Sequence, residues 1–329
     1  MPPLQPGTWL LTGGAGYIGA HVIRSLQGAG HEVVVVDDLS TGVRRKIPAD
    51  VAFVRADVSD RVAMTRVLAS HAVTGVVHLA AKKAVGESVE HPLDYYRHNV
   101  DGAVALAEAM VDVGVRNVVY SSSAAVYGDI DVDLVTEQSA TVPVSPYGQT
   151  KLIGEWVFQD AAVAHGLSCV ALRYFNVAGA GGDDLGDTGA FNLVPLALRA
   201  VAQGVRPQVF GADYPTPDGT CVRDYIHVAD LAEAHAAAAE AAASAPSGGF
   251  VAYNIGRGVG ASVLEVMAQV SRAVGRDIDA EVVGRRPGDP ARVVGSVAAA
   301  RDGLGWIGER DLGDMVTSAW SAWQAYPPT

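Results

Sequence analysis

The stretch T-G-G-A-G-Y-I-G, Thr12 to Gly19, decides how this chain is read. It follows the short apolar run Trp9–Leu11 and leads into helical spacing near Tyr17, so it forms the turn between a first strand and a first helix. Gly13 permits the tight turn, Gly16 lets the backbone approach a pyrophosphate, and Gly19 permits close packing of helix on strand. The free amides of such a helix start carry partial positive charge and suit a phosphate. A plain tight turn could carry the same glycines, and Asp37 separates the two readings: it ends the second apolar run, 18 residues beyond Gly19. A carboxylate there accepts hydrogen bonds from the adenosine ribose and repels a 2′-phosphate, which favours NAD over NADP. Arg44 and Arg45 are the counter-argument, since arginines behind that strand could accept the phosphate.

Outward from the turn, apolar runs recur at Val33–Val36, Val51–Val54, Val76–Leu79, Val118–Tyr120 and Cys169–Leu172, separated by helical patterns. Runs that are apolar throughout, rather than alternating, are buried on both faces, as in a parallel sheet covered by helices. The expectation is an α/β chain: a Rossmann-like, doubly wound parallel sheet with a smaller C-terminal lobe. Ligands then gather at the carboxyl ends of the strands, where the Gly turn, Asp37, Asp57, Ala80–Lys83, Ser121–Ser123 and Tyr174–Asn176 all fall. The first unit is expected over residues 1–178, with about 224–256 returning to it, and the second over 179–329, interleaved. Gly179–Gly189, rich in glycine and aspartate, reads as a loop. Ala232–Ala245 reads as a helix ended by Pro246, and Val251–Ile255 as a strand.

The bulk numbers exclude several classes. With 329 residues, 49% hydrophobic and 18% charged, the chain can bury a core without disulfide or metal support. A net charge of −12 leaves no basic footprint for nucleic acid or an anionic membrane. Two cysteines, Cys169 and Cys221, fit a reducing compartment, and no metal-ligand pattern is read. The start M-P-P-L-Q-P-G lacks the basic region and long apolar segment expected of a secretory leader, and no run approaches the roughly 20 apolar residues of a membrane span. A cytoplasmic protein is expected.

The second decisive run is S-P-Y-G-Q-T-K from Ser145 to Lys151. Ser145 reads as a helix N-cap and Pro146 as the first helical residue, which puts Tyr147 in the first turn. Lys151, four residues on, shares its helix face. A free tyrosine titrates near a pKa of about 10, too high for an efficient base at neutral pH. An ammonium, a helix N-terminus and an oxidised nicotinamide would each favour phenolate. The serines Ser121–Ser123 offer a hydroxyl to position a substrate oxygen. A surface tyrosine beside a solvated lysine would be the bland reading. Behind a Gly turn, an acidic strand end and a serine run, the pair instead reads as proton-transfer machinery for redox at a carbinol carbon.

These motifs, with K-A-V-G-E-S (Lys83–Ser88), S-S-S-A-A-V-Y-G-D (Ser121–Asp129), R-Y-F-N (Arg173–Asn176) and D-G-T-C-V-R-D-Y-I-H-V (Asp218–Val228), resemble the extended short-chain dehydrogenase/reductase family. Within it the chain looks most like the branch that epimerises UDP-hexoses at C4. The resemblance implies a reversible, NAD-dependent inversion of UDP-galactose and UDP-glucose through a transient 4-keto sugar. It makes Tyr147 the base, Ser123 its partner at the sugar oxygen, and Lys151 the residue that binds nicotinamide ribose and depresses the tyrosine. NAD would be met by Gly13, Gly16, Tyr17, Ile18, Gly19, Asp37, Asp38, Leu39, Ser40, Thr41, Gly42, Asp57, Val58, Leu79, Ala80, Ala81, Lys83, Asn99 and Phe175. The UDP-sugar would be met by Lys83, Ser123, Tyr147, Asn176, Asn192, Leu193, Gln208, Val209, Phe210, Arg223, Arg286, Asp289 and Val293, in a nucleotide-sugar lobe. Arginine suits a diphosphate because its planar fork pairs with two oxygens. For Arg223 the bland reading is an ion pair with Asp224, and for Arg286 a basic loop beside Arg285. His78 and His227 are expected in the core. Family members form homodimers through two helices, here about Leu93–Val113 and Tyr147–Ala164.

Competing readings are a nucleotide-sugar dehydratase, a net dehydrogenase, or a silent dinucleotide sensor. Dehydratases carry an acidic pair directly after the catalytic hydroxyl, where this chain has Ala124 and Ala125. A sensor would be expected to lose Tyr147 or Lys151, and both are present. Val293 stands where some relatives place a tyrosine against the sugar's 2-position, so N-acetylhexosamine forms are expected to fit as well. Ala81 and Lys82 depart from the family's usual glycine and small apolar residue, and the sequence assigns Lys82 no role.

Overall fold

A computed structural model describes residues 6–189, 192–245, 248–286 and 288–327; Pro246 and the first five residues lie outside the described residues. Strands β1 (Thr8–Thr12), β2 (Glu32–Asp37), β3 (Ala52–Arg55), β4 (Val73–His78), β5 (Asn117–Ser121) and β6 (Ser168–Tyr174) alternate with helices. The helices are α1 (Tyr17–Gly28), α2 (Arg61–Ser70), α3 (Val85–Glu90), α4 (Pro92–Tyr95), α5 (Gly102–Val113) and α6 (Pro146–His165). Beyond them come β7 (Asn176–Ala178), α7 (Leu193–Ala202), β8 (Gln208–Phe210), β9 (Val222–His227), α8 (Val228–Ser244) and β10 (Gly249–Ile255). The chain continues through β11 (Gly260–Ser262), α9 (Val263–Val274), β12 (Glu281–Val283), β13 (Arg292–Val293), α10 (Ala298–Leu304) and α11 (Leu312–Ala325).

The main sheet runs β10-β6-β5-β4-β1-β2-β3 with every pair parallel, the arrangement that the uninterrupted apolar runs predict. Successive side chains of each run go to opposite faces. Leu11, Val33, Val35, Val77 and Val119 join α1 and α8 in one core, and Leu10, Val34, Val36, Val76 and Val118 join α2, α5 and α6 in the other. Strand order reverses between β1 and β4, which opens a crevice at their carboxyl ends. A second sheet, β11-β9-β13 with β7 on β9, and the pair β12-β8 complete the described strands.

Two elements differ from the sequence expectation. Helix α8 starts at Val228 rather than near Ala232, because His227 caps it: Nδ1 accepts from Ala229 N at 3.0 Å. The span Leu93–Val113 is interrupted by a π-helical turn at Tyr96–Asp101, which gives Asn99 a buried place beside α6.

Candidate active site

The Gly turn has the geometry of a dinucleotide cradle. Gly13 has φ +72°, and a Cβ there would lie 2.7 Å from Ala80 N. A Cβ on Gly19 would lie 2.5 Å from the Gly13 carbonyl oxygen, so only glycine lets α1 come this close to the turn. Gly16 caps α1 without a side-chain bond, and the first turn holds no acidic residue, which leaves its amides for an anion. Asp37 Oδ2 accepts from Ala15 N at 3.0 Å and Oδ1 from Leu39 N at 2.8 Å, so it fastens the Gly turn to the loop after β2. Burial pushes its carboxyl up, and those two amides oppose the shift. Asp38 ties Ser40 through its amide and hydroxyl, and Asp57 ties Ser59 the same way, so both carboxylates shape tight turns at the sheet's carboxyl edge. The Leu79 amide donates to the Thr12 carbonyl at 3.1 Å and the Ala80 amide to Thr12 Oγ1 at 3.3 Å, locking the ends of β1 and β4 together. Val58 is buried in the core, so only its backbone is open to a ligand. The arginines that argued for NADP are turned elsewhere: Arg44 lies 4.9 Å over Phe53, and Arg45 lies 5.8 Å over Tyr326. A Cβ-free cradle, an open helix start and a carboxylate at the end of β2 fit NAD.

Tyr147 and Lys151 stand on the first turns of α6, whose Ser145 Oγ accepts from Gly148 N at 3.2 Å. Both are buried, at 7% and 3% exposure. Burial raises the Tyr147 phenol above its ordinary value, and a hydrogen bond with Ser123 opposes the rise. Lys151 departs from the expectation that it lowers the phenol. Its Nζ donates to the Ser121 carbonyl at 2.8 Å and lies 5.4 Å over the Tyr120 ring, while burial lowers its pKa to about 8. The ammonium is thus committed to the end of β5, and Ser123 is the group that acts on the phenol. Asn99 braces the same helix. Its Oδ1 accepts from Lys82 N at 2.8 Å, and its Nδ2 donates to Lys82 O and Thr150 Oγ1, both at 3.0 Å. Thr150 in turn donates to the Tyr147 carbonyl at 2.8 Å. These bonds occupy both donors of the Asn99 amide, so it acts as a brace for the loop.

Sequence reasoning missed two supports. Tyr95, fully buried, stands edge-on to Tyr147 with ring centroids 6.5 Å apart, and its Oη lies 2.9 Å from Glu87 Oε2. Lys82 Nζ bonds the other oxygen of Glu87 at 3.0 Å, which gives this lysine its place. The second support is the interior pair Arg173–Glu155, with Ser122 Oγ donating to Glu155 Oε1 at 2.5 Å. No local pattern signals either one, since Tyr95 meets Tyr147 and Arg173 meets Glu155 only when separate elements pack together.

The remaining candidates gather around the second sheet. Arg223 Nη2 lies 3.4 Å from Asp289 Oδ1, so its ion-pair partner is Asp289 and not Asp224. Asp224 is buried and accepts from the amides of Arg257, Gly258 and Gly295 at 2.8, 3.0 and 3.2 Å. Arg286 stacks 3.7 Å over Phe210, while Val209 beside it is in the core and offers only backbone. Asn176 donates to Asp224 O at 3.1 Å and Asn192, before Leu193 at the start of α7, to Val177 O at 3.2 Å. Val293 pairs in register with Arg223 and packs, with Ala124, on a cluster of Val126, Tyr127, Val135, Leu152 and Phe175. The residue after Ser123 and the gate candidate therefore border one apolar patch. Gln208 and Lys83 are exposed. His78 and His227 are buried, as expected for core histidines.

No helix among the described residues is long and apolar enough to cross a membrane. Residues 9–256 match the model of the NAD dependent epimerase/dehydratase family. A UDP-glucose 4-epimerase of Azospirillum brasilense is 44% identical over 322 residues, covering 96% of this chain and 91% of that protein. A crystal structure of a UDP-glucose-4-epimerase from Stenotrophomonas maltophila, with bound NAD and formylated UDP-arabinopyranose, superposes with a TM-score of 0.93 at 40% identity, covering 97% and 98% of the two chains. One from Brucella ovis in complex with NAD gives 0.91 at 41% identity, covering 95% and 97%. On the cradle, the buried Ser123–Tyr147–Lys151 group and these likenesses, the chain belongs to the NAD dependent epimerase/dehydratase family.

Proposed function

We propose that the chain inverts C4 of UDP-galactose and UDP-glucose. The observation that carries the reading is the buried phenol of Tyr147, hydrogen-bonded to Ser123 at the strand edge that also holds the cradle. Bound NAD supplies the acceptor and donor of hydride at the sugar carbon. Ser123 positions the 4-hydroxyl, and Tyr147 takes its proton as the bond to carbon becomes a carbonyl. Lys151, held by the Ser121 carbonyl at the end of β5, meets the nicotinamide ribose, and the Ser123 hydrogen bond favours the phenolate. The 4-keto sugar turns within the pocket, and Tyr147 returns the proton to the opposite epimer. Arg223, Arg286, Asn176, Asn192, Leu193, Asp289 and the Gln208–Phe210 strand hold the UDP group, so the sugar alone is free to turn. Ala124 and Ala125 offer no proton carrier, which argues against dehydration.

Val293, a small side chain on the patch it shares with Ala124, leaves room at the sugar's 2-position, and the N-acetylhexosamine forms are substrates on this reading. The main sheet and its helices bind NAD, and the second sheet with α7, α9 and α11 binds UDP-sugar. The chain works in the cytoplasm as a homodimer through α5 and α6, whose Val104, Trp156 and Val163 are exposed at 38%, 52% and 80%. Sedimentation velocity tests the dimer: a monomer at micromolar concentration removes it. Product analysis with UDP-galactose and no added NAD tests the activity. The appearance of UDP-glucose supports it, and unchanged substrate after NAD is supplied refutes it.

A further inference from the structure

The glycine- and aspartate-rich segment Gly179–Gly189 joins β7 to α7, and neither the cradle nor the proton-transfer group uses it. Three side chains from the NAD side grip its backbone. Tyr17, the first residue of α1, donates Oη to Gly179 O at 2.5 Å. One turn later, His21 Nε2 accepts from Gly181 N at 2.8 Å, while its Nδ1 donates to the Tyr17 carbonyl at 2.8 Å. An amide only donates and a carbonyl only accepts, so this ring is held neutral with its proton on Nδ1. Lys46, from the 3-10 turn Arg44–Lys46, is 1% exposed and donates Nζ to Gly186 O at 2.7 Å. Burying an ammonium is costly, and this one is spent on a loop carbonyl.

Helix α11 holds the same segment from the other side. Ser318 Oγ accepts from Ala180 N at 3.2 Å, and Ser321 Oγ donates to Asp183 Oδ1 at 3.0 Å. The segment is therefore fastened at one edge to the helix whose start forms the cradle and at the other to the C-terminal helix.

We propose that Tyr17, His21 and Lys46 retain the cofactor. By tying this segment between α1 and α11 they hold the chain closed around NAD, and NAD leaves only after these bonds open. The inference rests on the NAD reading above. It also answers a demand of that reaction: a 4-keto sugar is reduced again only if the cofactor that oxidised it is still in place.

Exchange of bound NAD against radiolabelled NAD, with no sugar present, tests the proposal in the parent, Lys46→Met and Tyr17→Phe. Each variant loses one buried hydrogen bond and is expected to exchange about tenfold faster than the parent. NAD carried per chain after gel filtration falls in step. Exchange at the parent rate in Tyr17→Phe, which keeps the ring and removes only the hydroxyl, overturns the proposal even if Lys46→Met does not fold. A parent that neither carries nor takes up NAD overturns the proposal together with the reading beneath it. A parent that holds NAD beside variants that hold it equally well removes the retention role alone.

Discussion

Arg173 and Glu155 meet as a doubly hydrogen-bonded ion pair in the interior, Nε to Oε1 at 2.9 Å and Nη2 to Oε2 at 2.6 Å, with side chains 8% and 2% exposed. Glu155 lies one turn beyond Lys151 on α6, and Ser122 precedes Ser123, so the pair and the Ser122 bond pin α6 to the end of β5. Arg173 also donates to Tyr127 Oη at 3.0 Å, which donates to Asn254 Oδ1 at 2.7 Å, carrying the network across to β10. Glu155→Ala leaves a buried guanidinium without its partner and is expected to cost about 3–5 kcal/mol. Urea unfolding of parent and variant measures this; a difference below about 1 kcal/mol, the range of exposed pairs, would contradict it.

Tyr147→Phe removes the proton carrier and keeps the ring against Tyr95. Turnover is expected to fall by about 10²–10⁴, the usual size of general acid–base catalysis. NAD carried per chain should not change. Steady-state kinetics and NAD content measured on one preparation separate this outcome from loss of the cradle.

Stability should depend on pH through buried histidines and one aspartate. Burial lowers His78 to about 3 and His21, His227 and His235 to about 4. The unfolded chain then binds more protons than the folded chain between about pH 4 and 6.5, so their contribution makes stability rise with pH across that window. Asp224 acts in the opposite sense. Burial raises its carboxyl to about 6, so the folded chain holds the extra proton between about pH 4 and 6 and stability falls with rising pH. Asp224→Asn removes the opposing group. Its urea-derived stability should climb more steeply than the parent's from pH 4.5 to 6.5, by about 2 kcal/mol. Parallel curves would contradict the shift.

Much of this was legible in the residues. The uninterrupted valines of β2 and the Gly13–Gly16–Gly19 spacing each reflect a local requirement, burial on two faces or close backbone approach, that only a few residue types meet. Ser145–Pro146 announced the start of α6 in the same way. What the sequence did not carry was partnership at a distance. That Arg223 pairs with Asp289 rather than its neighbour Asp224 follows from the register of β9 with β13, and the Tyr95–Tyr147 contact follows from how α4 packs on α6. The π-helical turn that sets Asn99 against Thr150 likewise has no sequence period of its own.

Val293→Tyr tests the sugar gate. A phenol on the patch shared with Ala124 and Phe175 fills the space that an acetamido group needs. Conversion of UDP-N-acetylgalactosamine should fall at least tenfold while UDP-galactose changes about twofold, since steric exclusion acts on one substrate only. Equal losses on both, or no change in either, would remove the gate from the account.

The hydrogen on the sugar's C4 reports the reaction directly. UDP-galactose deuterated at C4 is incubated with the purified chain in ordinary water without added NAD, and the products are read by mass spectrometry and NMR. UDP-glucose with deuterium still at C4 is expected, because what leaves that carbon returns to it within one chain while only the hydroxyl proton passes through Tyr147. Deuterium lost to solvent, or no 4-epimer even after NAD is supplied, would contradict it.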